Sequence, residues 1–337
     1  MMLDISTMEK YDSQGMYKVY DKWPEIARES YMADLEPVDF DDVDHILFAG
    51  MGGSGAIGDL FSSILSKSNI HVSLVKGYLL PKTVDKNTLV VATSISGNTS
   101  ETLTILDSTK KLDCNVVAFS SGNKMEKFCK NNQIIFRNIP LFHSPRTSFV
   151  SFTYSILKTL NSMLPIGETD ILESINQLDI MKKQIFSHNL SDSNPAINLS
   201  DWITGIPIMY YPHGLQSAAT RFKSSLQENV KTHVIIEDVI EACHNGIVSW
   251  EKPSVVQPIL LRGKDDYIKT KERFDIIEEF FMENSINFRE IYSISGNILS
   301  KLISLIYLLD YTSIYRAISS KIDPSPVSSI DYIKSRI

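Results

Sequence analysis

Cysteine is scarce in this sequence. The 337 residues include three cysteines, Cys114, Cys129 and Cys243, and these form neither a C-x-x-C pair nor a zinc-ligand spacing. A disulfide framework and a structural zinc module are therefore excluded as organising elements, and the low count is typical of a reducing compartment. The first residues also lack the charged-then-apolar layout of a signal peptide. We therefore expect a cytoplasmic protein.

An excess of basic residues is absent as well. Lys and Arg number 33 against 40 Asp and Glu, which gives a net charge of -7 and a pI near 5.6. Such a balance offers no electrostatic footprint for nucleic acid. We also expect no apolar run that approaches the roughly 20 residues needed to cross a bilayer, and hence no membrane partner. The length suffices for about two domains with buried cores.

Predicted strands and helices alternate along the chain. A helical segment from about residue 8 to 32 precedes five predicted strands, four of which are followed by helices. Four more strands follow a polar segment at 187–201, which contains Pro195 and is predicted to be a linker. This order is typical of an α/β protein with parallel sheets covered by helices on both faces. We predict an N-terminal domain over 1–165 and a C-terminal domain over 166–337. The duplication is inferred from this layout alone.

The stretch GMGGSG follows the first predicted strand and opens a helix. Gly50, Gly52 and Gly55 match the dinucleotide fingerprint G-x-G-x-x-G. A nicotinamide dehydrogenase would also have an acidic residue at the end of the next strand, where this chain has Lys76 and Gly77. The remaining interpretations are an anion site made of free backbone N–H groups at a helix N-terminus and a tight turn with no ligand.

The stretch ATSISGNTSETL carries many hydroxyl groups between a strand and a helix. Ser94, Ser96 and Thr99 lie where several donors could surround the three terminal oxygens of a phosphate monoester. Helix capping by Ser96 or Asn98 is the alternative. One cap uses one side chain, so the number of polar groups favours phosphate binding at the carboxyl end of the strand.

Two further turns belong to the same half. FSSGNK at 119–124 repeats a glycine-serine turn after the next strand, with a simple connection as an equal alternative. In HSPRTSF, Pro145 stiffens the chain before Arg146. The guanidinium could therefore be held near the same crevice, the alternative being a solvated surface arginine.

Five motifs in this order resemble one known family. GMGGSG, SISGNTSET, PRTSF, RFKSSLQENVK and EACHNGIV are similar to motifs of the archaeal bifunctional phosphoglucose/phosphomannose isomerases, which are built from two sugar isomerase (SIS) domains. The resemblance runs from about residue 46 to the C-terminus. It implies two SIS-type, flavodoxin-like αβα sandwich domains with parallel sheets.

The resemblance also implies a role for each matching residue. In the N-terminal half the residues that would bind the sugar phosphate are Gly53, Ser54, Ser94, Ser96, Thr99 and Pro145. Arg146 would stabilise the charge of an enediolate intermediate, Glu228 would be the general base, and His244 would help to open the sugar ring. The family has a catalytic lysine near the C-terminus, for which Lys334 is the candidate and Lys321 the neighbouring alternative.

The implied reaction converts glucose 6-phosphate, and mannose 6-phosphate, to fructose 6-phosphate through a cis-enediol(ate). It needs no cofactor and no metal, since a carboxylate can move the proton and a fixed cation can stabilise the intermediate. A homodimer is expected, with His244 contributed across the interface. The alternatives are a SIS sensor of sugar phosphates without catalysis and an aminosugar-phosphate isomerase. Taken singly, without the order of the motifs, Glu228 is better explained as a surface carboxylate and His244 as a capping or core histidine.

Overall fold

The computed structural model describes residues 3–336. These form two compact units, one from residues 22–176 and the other from residues up to 21 together with those from 177 onward. Each unit is built on one parallel β-sheet. The predicted α/β class with two parallel sheets is confirmed.

Three short helices begin the described chain. They are α1 (Ile5–Tyr11), α2 (Met16–Tyr20) and α3 (Trp23–Met32). The prediction of one helical segment over 8–32 was wrong, because Gly15 adopts a left-handed φ of 69°. The Asp12 carboxylate then begins α2 by accepting hydrogen bonds from the backbone N–H groups of Met16 at 2.9 Å and Tyr17 at 2.7 Å.

The N-terminal unit contains a five-stranded sheet. Its strands are β1 (His45–Ala49), β2 (His71–Val75), β3 (Thr88–Ser94), β4 (Asn115–Ser120) and β5 (Ile135–Asn138). They lie in the order β2-β1-β3-β4-β5. Its main helices are α4 (Gly53–Leu65), α5 (Ser100–Thr109), α6 (Asn123–Asn131) and α7 (Phe149–Thr159). Every residue of β1 and β3, two of the three inner strands, is buried, as expected when helices cover both faces of a parallel sheet.

The C-terminal unit contains a four-stranded sheet. Its strands are β6 (Ile206–Tyr211), β7 (Ile235–Asp238), β8 (Val256–Arg262) and β9 (Arg289–Tyr292). They lie in the order β7-β6-β8-β9. The helices from the end of the N-terminal unit onward are α8 (Glu168–Ile185), α9 (Pro195–Trp202), α10 (Gln216–Ser225), α11 (Val239–Ala242), α12 (Ile268–Glu283), α13 (Ile298–Ser319) and α14 (Ser328–Lys334).

The two units divide the chain differently from the predicted domains. The division falls between residues 176 and 177, inside α8, and not at 165/166. In addition, α1 and α2 belong to the C-terminal unit. The Tyr20 hydroxyl donates to Asp310 at 3.1 Å, and the backbone oxygen of Tyr20 accepts a 2.7 Å hydrogen bond from the Tyr307 hydroxyl on α13. Contacts between such distant parts of a sequence leave no signal in local periodicity.

The segment 187–201 is not an irregular linker. Its second half forms most of α9, and Pro195 is the first residue of that helix, a position where proline is favoured. The fully buried Asn194 caps the helix by accepting hydrogen bonds from the N–H groups of Ala196 at 2.9 Å and Ile197 at 3.3 Å. The prediction of a linker was therefore wrong, because the proline starts a helix at this position.

Helix α13 is the central helix of the C-terminal unit. Its 22 residues are long and apolar enough to cross a membrane, contrary to the expectation that no such run exists. However, 89% of its most apolar window is buried inside the protein. The composition of α13 is therefore explained by its position in the core.

Candidate active site

A glycine turn connects β1 to α4 and leaves the start of α4 bare. Gly52 precedes the helix with φ 53°, and no side chain caps the helix N-terminus. A Cβ atom at Gly50 would lie 3.0 Å from the backbone of Ser54, so this close approach requires glycine. The result is a helix N-terminus whose first N–H groups are not occupied by a capping side chain.

The turn after β3 lies against this glycine turn. The Ser54 hydroxyl, on the first turn of α4, accepts a 3.1 Å hydrogen bond from the backbone N–H of Ile95. Within the β3 turn, the fully buried Ser94 donates to the Thr99 hydroxyl at 2.9 Å. Three of the predicted phosphate-binding residues, Ser54, Ser94 and Thr99, therefore form one cluster.

Neither Ser96 nor Asn98 is the N-cap of α5. The cap is Thr99, and its side chain makes no capping hydrogen bond, so capping does not account for these polar groups. Gly97 has φ 70°, and a Cβ atom there would collide with the backbone oxygen of Gly122. The FSSGNK turn thus packs directly on the β3 turn.

The Pro145–Arg146 segment contacts the same region. A Cβ atom at Gly53 would lie 3.1 Å from the Pro145 backbone oxygen. Arg146 is 6% exposed, which excludes a solvated surface arginine. The fully buried Thr147 fixes the loop, since its hydroxyl donates to the Ser144 backbone oxygen at 3.0 Å. All the residues predicted for binding in the N-terminal unit, and Arg146 with them, are therefore held on adjoining turns.

Glu228 lies in an unusual turn of the C-terminal unit. Residues Leu226–Val230 continue α10 as a π-helical turn, and Glu228 is half-buried within it. Such turns frequently occur at functional sites. The turn ends at Lys231, whose left-handed φ of 59° stops the helix and whose ammonium group donates to the backbone oxygen of Glu228.

His244 and Lys334 lie on other segments of this unit. His244 is exposed and follows α11, and Lys334 is exposed at the end of α14. The alternative lysine, Lys321, is exposed just after α13 with φ 61°. Within residues 3–336 no three His, Cys, Asp or Glu side chains are grouped as metal ligands.

The topology separates Glu228 from His244 within one chain. Strands β6 and β7 are adjacent and parallel, so the helical segment between them must return to the amino edge of the sheet. Glu228 is near the end of that segment and therefore lies at the amino edge. The chain then follows β7 to the carboxyl edge before it reaches His244. The four residues of β7 alone span about 13 Å.

The sequence also contains a short internal repeat. The pentapeptide Ser-Ile-Ser-Gly-Asn occurs at 94–98 and again at 293–297, a signal that the predicted layout of strands and helices does not include. The second copy follows β9 and starts α13, where Asn297 caps the helix through a 2.8 Å bond from the Ser300 N–H. The residue after the second copy is Ile298, where the first copy is followed by Thr99. The second turn therefore lacks a hydroxyl equivalent to the one that pairs with Ser94.

A cleft in the C-terminal unit contains none of the predicted site residues. Its volume is about 870 Å³, and it lies along β9 and beside α8 and α9. Arg289, Tyr292 and Trp202 are among its lining residues. The candidate site is therefore identified by the predicted site residues and their contacts, and this cleft is not part of it.

Comparison with known families agrees with the two units. The model of the SIS domain matches residues 39–163, and the model described as bacterial phospho-glucose isomerase C-terminal SIS domain matches residues 192–337. A solved structure of a hypothetical protein from Thermus thermophilus aligns with a TM-score of 0.71 and 13% identity, covering 98% of this chain and 88% of that one. The fold is that of a double-SIS protein.

Two curated relatives identify the family. The bifunctional phosphoglucose/phosphomannose isomerase of Caldicellulosiruptor bescii is 30% identical over 310 residues, which cover 88% of this chain and 90% of the relative. The protein of the same name from Aquifex aeolicus is 26% identical and covers 96% of both chains. This chain belongs to the family of the bifunctional phosphoglucose/phosphomannose isomerases. The matches include bacterial proteins. The predicted restriction of the resemblance to archaeal members of the family is therefore not supported.

Proposed function

We propose that this protein is an isomerase of hexose 6-phosphates, which interconverts glucose 6-phosphate, and also mannose 6-phosphate, with fructose 6-phosphate without a metal. The observation that carries the proposal is the cluster of Ser54, Ser94 and Thr99 beside two helix N-termini that no side chain caps. Backbone N–H groups and hydroxyls together supply the many donors that a phosphate monoester needs. The net charge of -7 makes such local donors necessary.

The proton transfer is assigned to Glu228. In the open-chain aldose its carboxylate removes the proton from C2, which gives an enediolate, and it returns that proton to C1, while the hydroxyl proton passes from O2 to O1, to give the ketose. Glucose 6-phosphate and mannose 6-phosphate differ only in configuration at C2, so both give the same enediol. Return of the proton to either face of C2 would therefore make one enzyme act on both sugars.

The remaining steps need an acid and a fixed cation. His244 would donate a proton to the ring oxygen and accept one from the anomeric hydroxyl, a task suited to imidazole near neutral pH. Arg146, held rigidly by its loop, would stabilise the negative enediolate. Lys334 is the candidate for the second cation, with Lys321 as the alternative.

The active site is proposed to be shared between two copies of the chain in the cytoplasm. Glu228 lies at the amino edge of the C-terminal sheet and His244 lies beyond its carboxyl edge. The two residues are therefore better placed to meet between subunits than within one. The exposed position of His244 leaves it available to a partner. We expect a homodimer, and sedimentation of the pure protein measures this directly.

Two other functions of the same fold make different predictions. A sensor of sugar phosphates would need the phosphate turn but not Glu228 or His244, and it would bind fructose 6-phosphate without turnover. An aminosugar-phosphate isomerase would act on glucosamine 6-phosphate in preference to glucose 6-phosphate. The membership of this chain in the phosphoglucose/phosphomannose family favours the hexose phosphates.

A coupled assay in EDTA tests the proposal. Purified protein is treated with EDTA and given glucose 6-phosphate, mannose 6-phosphate or glucosamine 6-phosphate, and the formation of fructose 6-phosphate is followed. We expect turnover of the first two sugars at the same rate with and without EDTA. Binding without turnover would favour the sensor, and loss of activity that added divalent metal restores would contradict the metal-independent mechanism.

A further inference from the structure

A buried ion pair joins the helix that carries Glu228 to the central helix of its unit. Arg221 on α10 is 2% exposed and Asp310 on α13 is 0% exposed. The Arg221 guanidinium donates to the carboxylate through Nη2 at 2.7 Å and through Nε at 3.1 and 3.2 Å. An ion pair this deeply buried gives little net stability against an apolar pair, so its presence calls for another reason.

Asp310 holds more than Arg221. Its carboxylate also accepts a 2.5 Å hydrogen bond from the Ser225 hydroxyl and a 3.1 Å bond from the Tyr20 hydroxyl. Ser225 is the last residue of α10, immediately before the π-helical turn. Asp310 therefore fixes the point at which the regular helix ends and the turn with Glu228 begins.

The far side of the same turn is fixed one helical turn further along α13. Asn229, next to Glu228 and fully buried, donates to the Ser313 hydroxyl at 2.8 Å. Ser313 in turn donates to the backbone oxygen of Asp310 at 2.6 Å. Ser225 and Asn229 thus hold the turn on both sides of Glu228, and both reach the same stretch of α13.

Arg221 is a buried cation that interacts electrostatically with Glu228 as well as with Asp310. Burial disfavours the charged guanidinium, but Asp310, Tyr20 and Glu228 together raise the pKa of Arg221 above its ordinary value. Lys231 is a second cation beside the turn, and its ammonium group is held by the backbone oxygens of Glu228 and Pro324. Without Asp310, the nearby acid left to attract the buried Arg221 cation would be Glu228.

We propose that Asp310 is a positioning residue for the general base: it binds Arg221 and Ser225 so that the π-helical turn presents the Glu228 carboxylate to substrate. This inference rests on the proposed function. It adds a second requirement to the site, since the base must be both present and held in place by the helices around it. A displacement of about 1 Å at a reacting group can cost a hundredfold in rate.

The test is the isosteric variant Asp310→Asn in the isomerase assay over a range of pH. We expect kcat to fall at least 30-fold, KM for fructose 6-phosphate to change less than threefold, and the acid limb of kcat/KM to move to lower pH. The limb moves because the uncompensated Arg221 cation favours the ionised carboxylate. Asp310→Glu, which keeps the charge, should return the acid limb to its original position.

A matched control and two milder variants complete the experiment. Asp275→Asn removes a carboxylate from Arg262, in another ion pair of the same unit, and should leave kcat and the pH profile unchanged. Ser313→Ala and Ser225→Ala keep the ion pair but release one side of the turn, so each should lower kcat at least fivefold without moving the acid limb. These two variants carry the test if Asp310→Asn does not fold.

The possible results separate this inference from the proposed function. If folded Asp310→Asn keeps kcat and its pH profile, or if both serine variants keep kcat, the positioning role is wrong. Glu228→Gln is measured in the same series. If that variant retains turnover, the assignment of the base itself fails, whatever the result for Asp310.

Discussion

The hydroxyl of Ser54 accepts a 3.1 Å hydrogen bond from the backbone N–H of Ile95. This single bond joins the turn after β1 to the turn after β3, two neighbouring strands of the N-terminal sheet. The polar groups of both turns are therefore presented at one edge of the sheet, the carboxyl edge where open α/β folds bind ligands.

Loss of a hydroxyl from this cluster should weaken substrate binding. Thr99→Val removes the partner of Ser94, and we expect KM for fructose 6-phosphate to rise about tenfold, since a hydrogen bond to a charged group contributes about 1.5–3 kcal/mol. Ser108→Ala, at a partly exposed position further along α5, is the control and should leave KM unchanged. An equal rise of KM in both variants would contradict a specific role of this turn in substrate binding.

Gly97 should tolerate no side chain. Its φ of 70° and the backbone oxygen of Gly122 beside it predict that Gly97→Ala lowers the free energy of unfolding by about 1–3 kcal/mol. The same change should raise KM, because the two turns must separate. Gly77→Ala is the matched control, since a Cβ atom there meets no atom within 4 Å. Denaturant unfolding measures the free energy of unfolding of both variants, and equal values for the two would contradict the prediction.

Arg146 should act in the transition state and not in binding. Arg146→Gln should lower kcat about 10²- to 10³-fold with little change in KM, the pattern expected when only the intermediate is stabilised. Arg137→Gln removes another guanidinium of the N-terminal unit, one that binds the backbone oxygen of Glu36, and should keep kcat. A rise in KM alone for Arg146→Gln would show that the guanidinium binds the ground state instead.

The stability of the N-terminal unit should depend on the protonation of His45. Burial lowers the pKa of His45, and the nearby His71 lowers it further, while Asp44 and Asp85 act in the opposite direction. The folded state therefore binds fewer protons than the unfolded state. Stability is complete above the unfolded pKa of about 6.5 and is lost as pH falls through the lower folded value.

Urea unfolding at pH 7.5 and pH 5.5 measures this effect. Wild type should lose more stability between the two pH values than His45→Gln does. The exposed His233 provides a control, because His233→Gln should behave as wild type. The same loss of stability in all three proteins would show that His45 is not responsible.

The sequence was informative where structure follows from neighbouring residues. All nine strands of the described chain were predicted, because parallel strands are short apolar runs bounded by turns, and the polar turn at Ser94 was identified from composition alone. The ion pair between Arg221 and Asp310 could not be predicted, since its members are 89 residues apart. The placement of α2 was missed for the same reason: Tyr20 bonds to Asp310 across 290 residues. Long-range pairing is decided by packing, which a single sequence does not display.

The most direct test of the account is the incorporation of deuterium at C2 when fructose 6-phosphate is converted to aldose in D2O, followed by NMR, for Glu228→Gln and for a control, Glu272→Gln, at a surface ion pair with Lys269. If Glu228 moves the proton, Glu228→Gln still binds fructose 6-phosphate but incorporates no deuterium at C2 of the aldose products, while Glu272→Gln exchanges like wild type. Deuterium incorporation at the wild-type rate in Glu228→Gln would contradict the account.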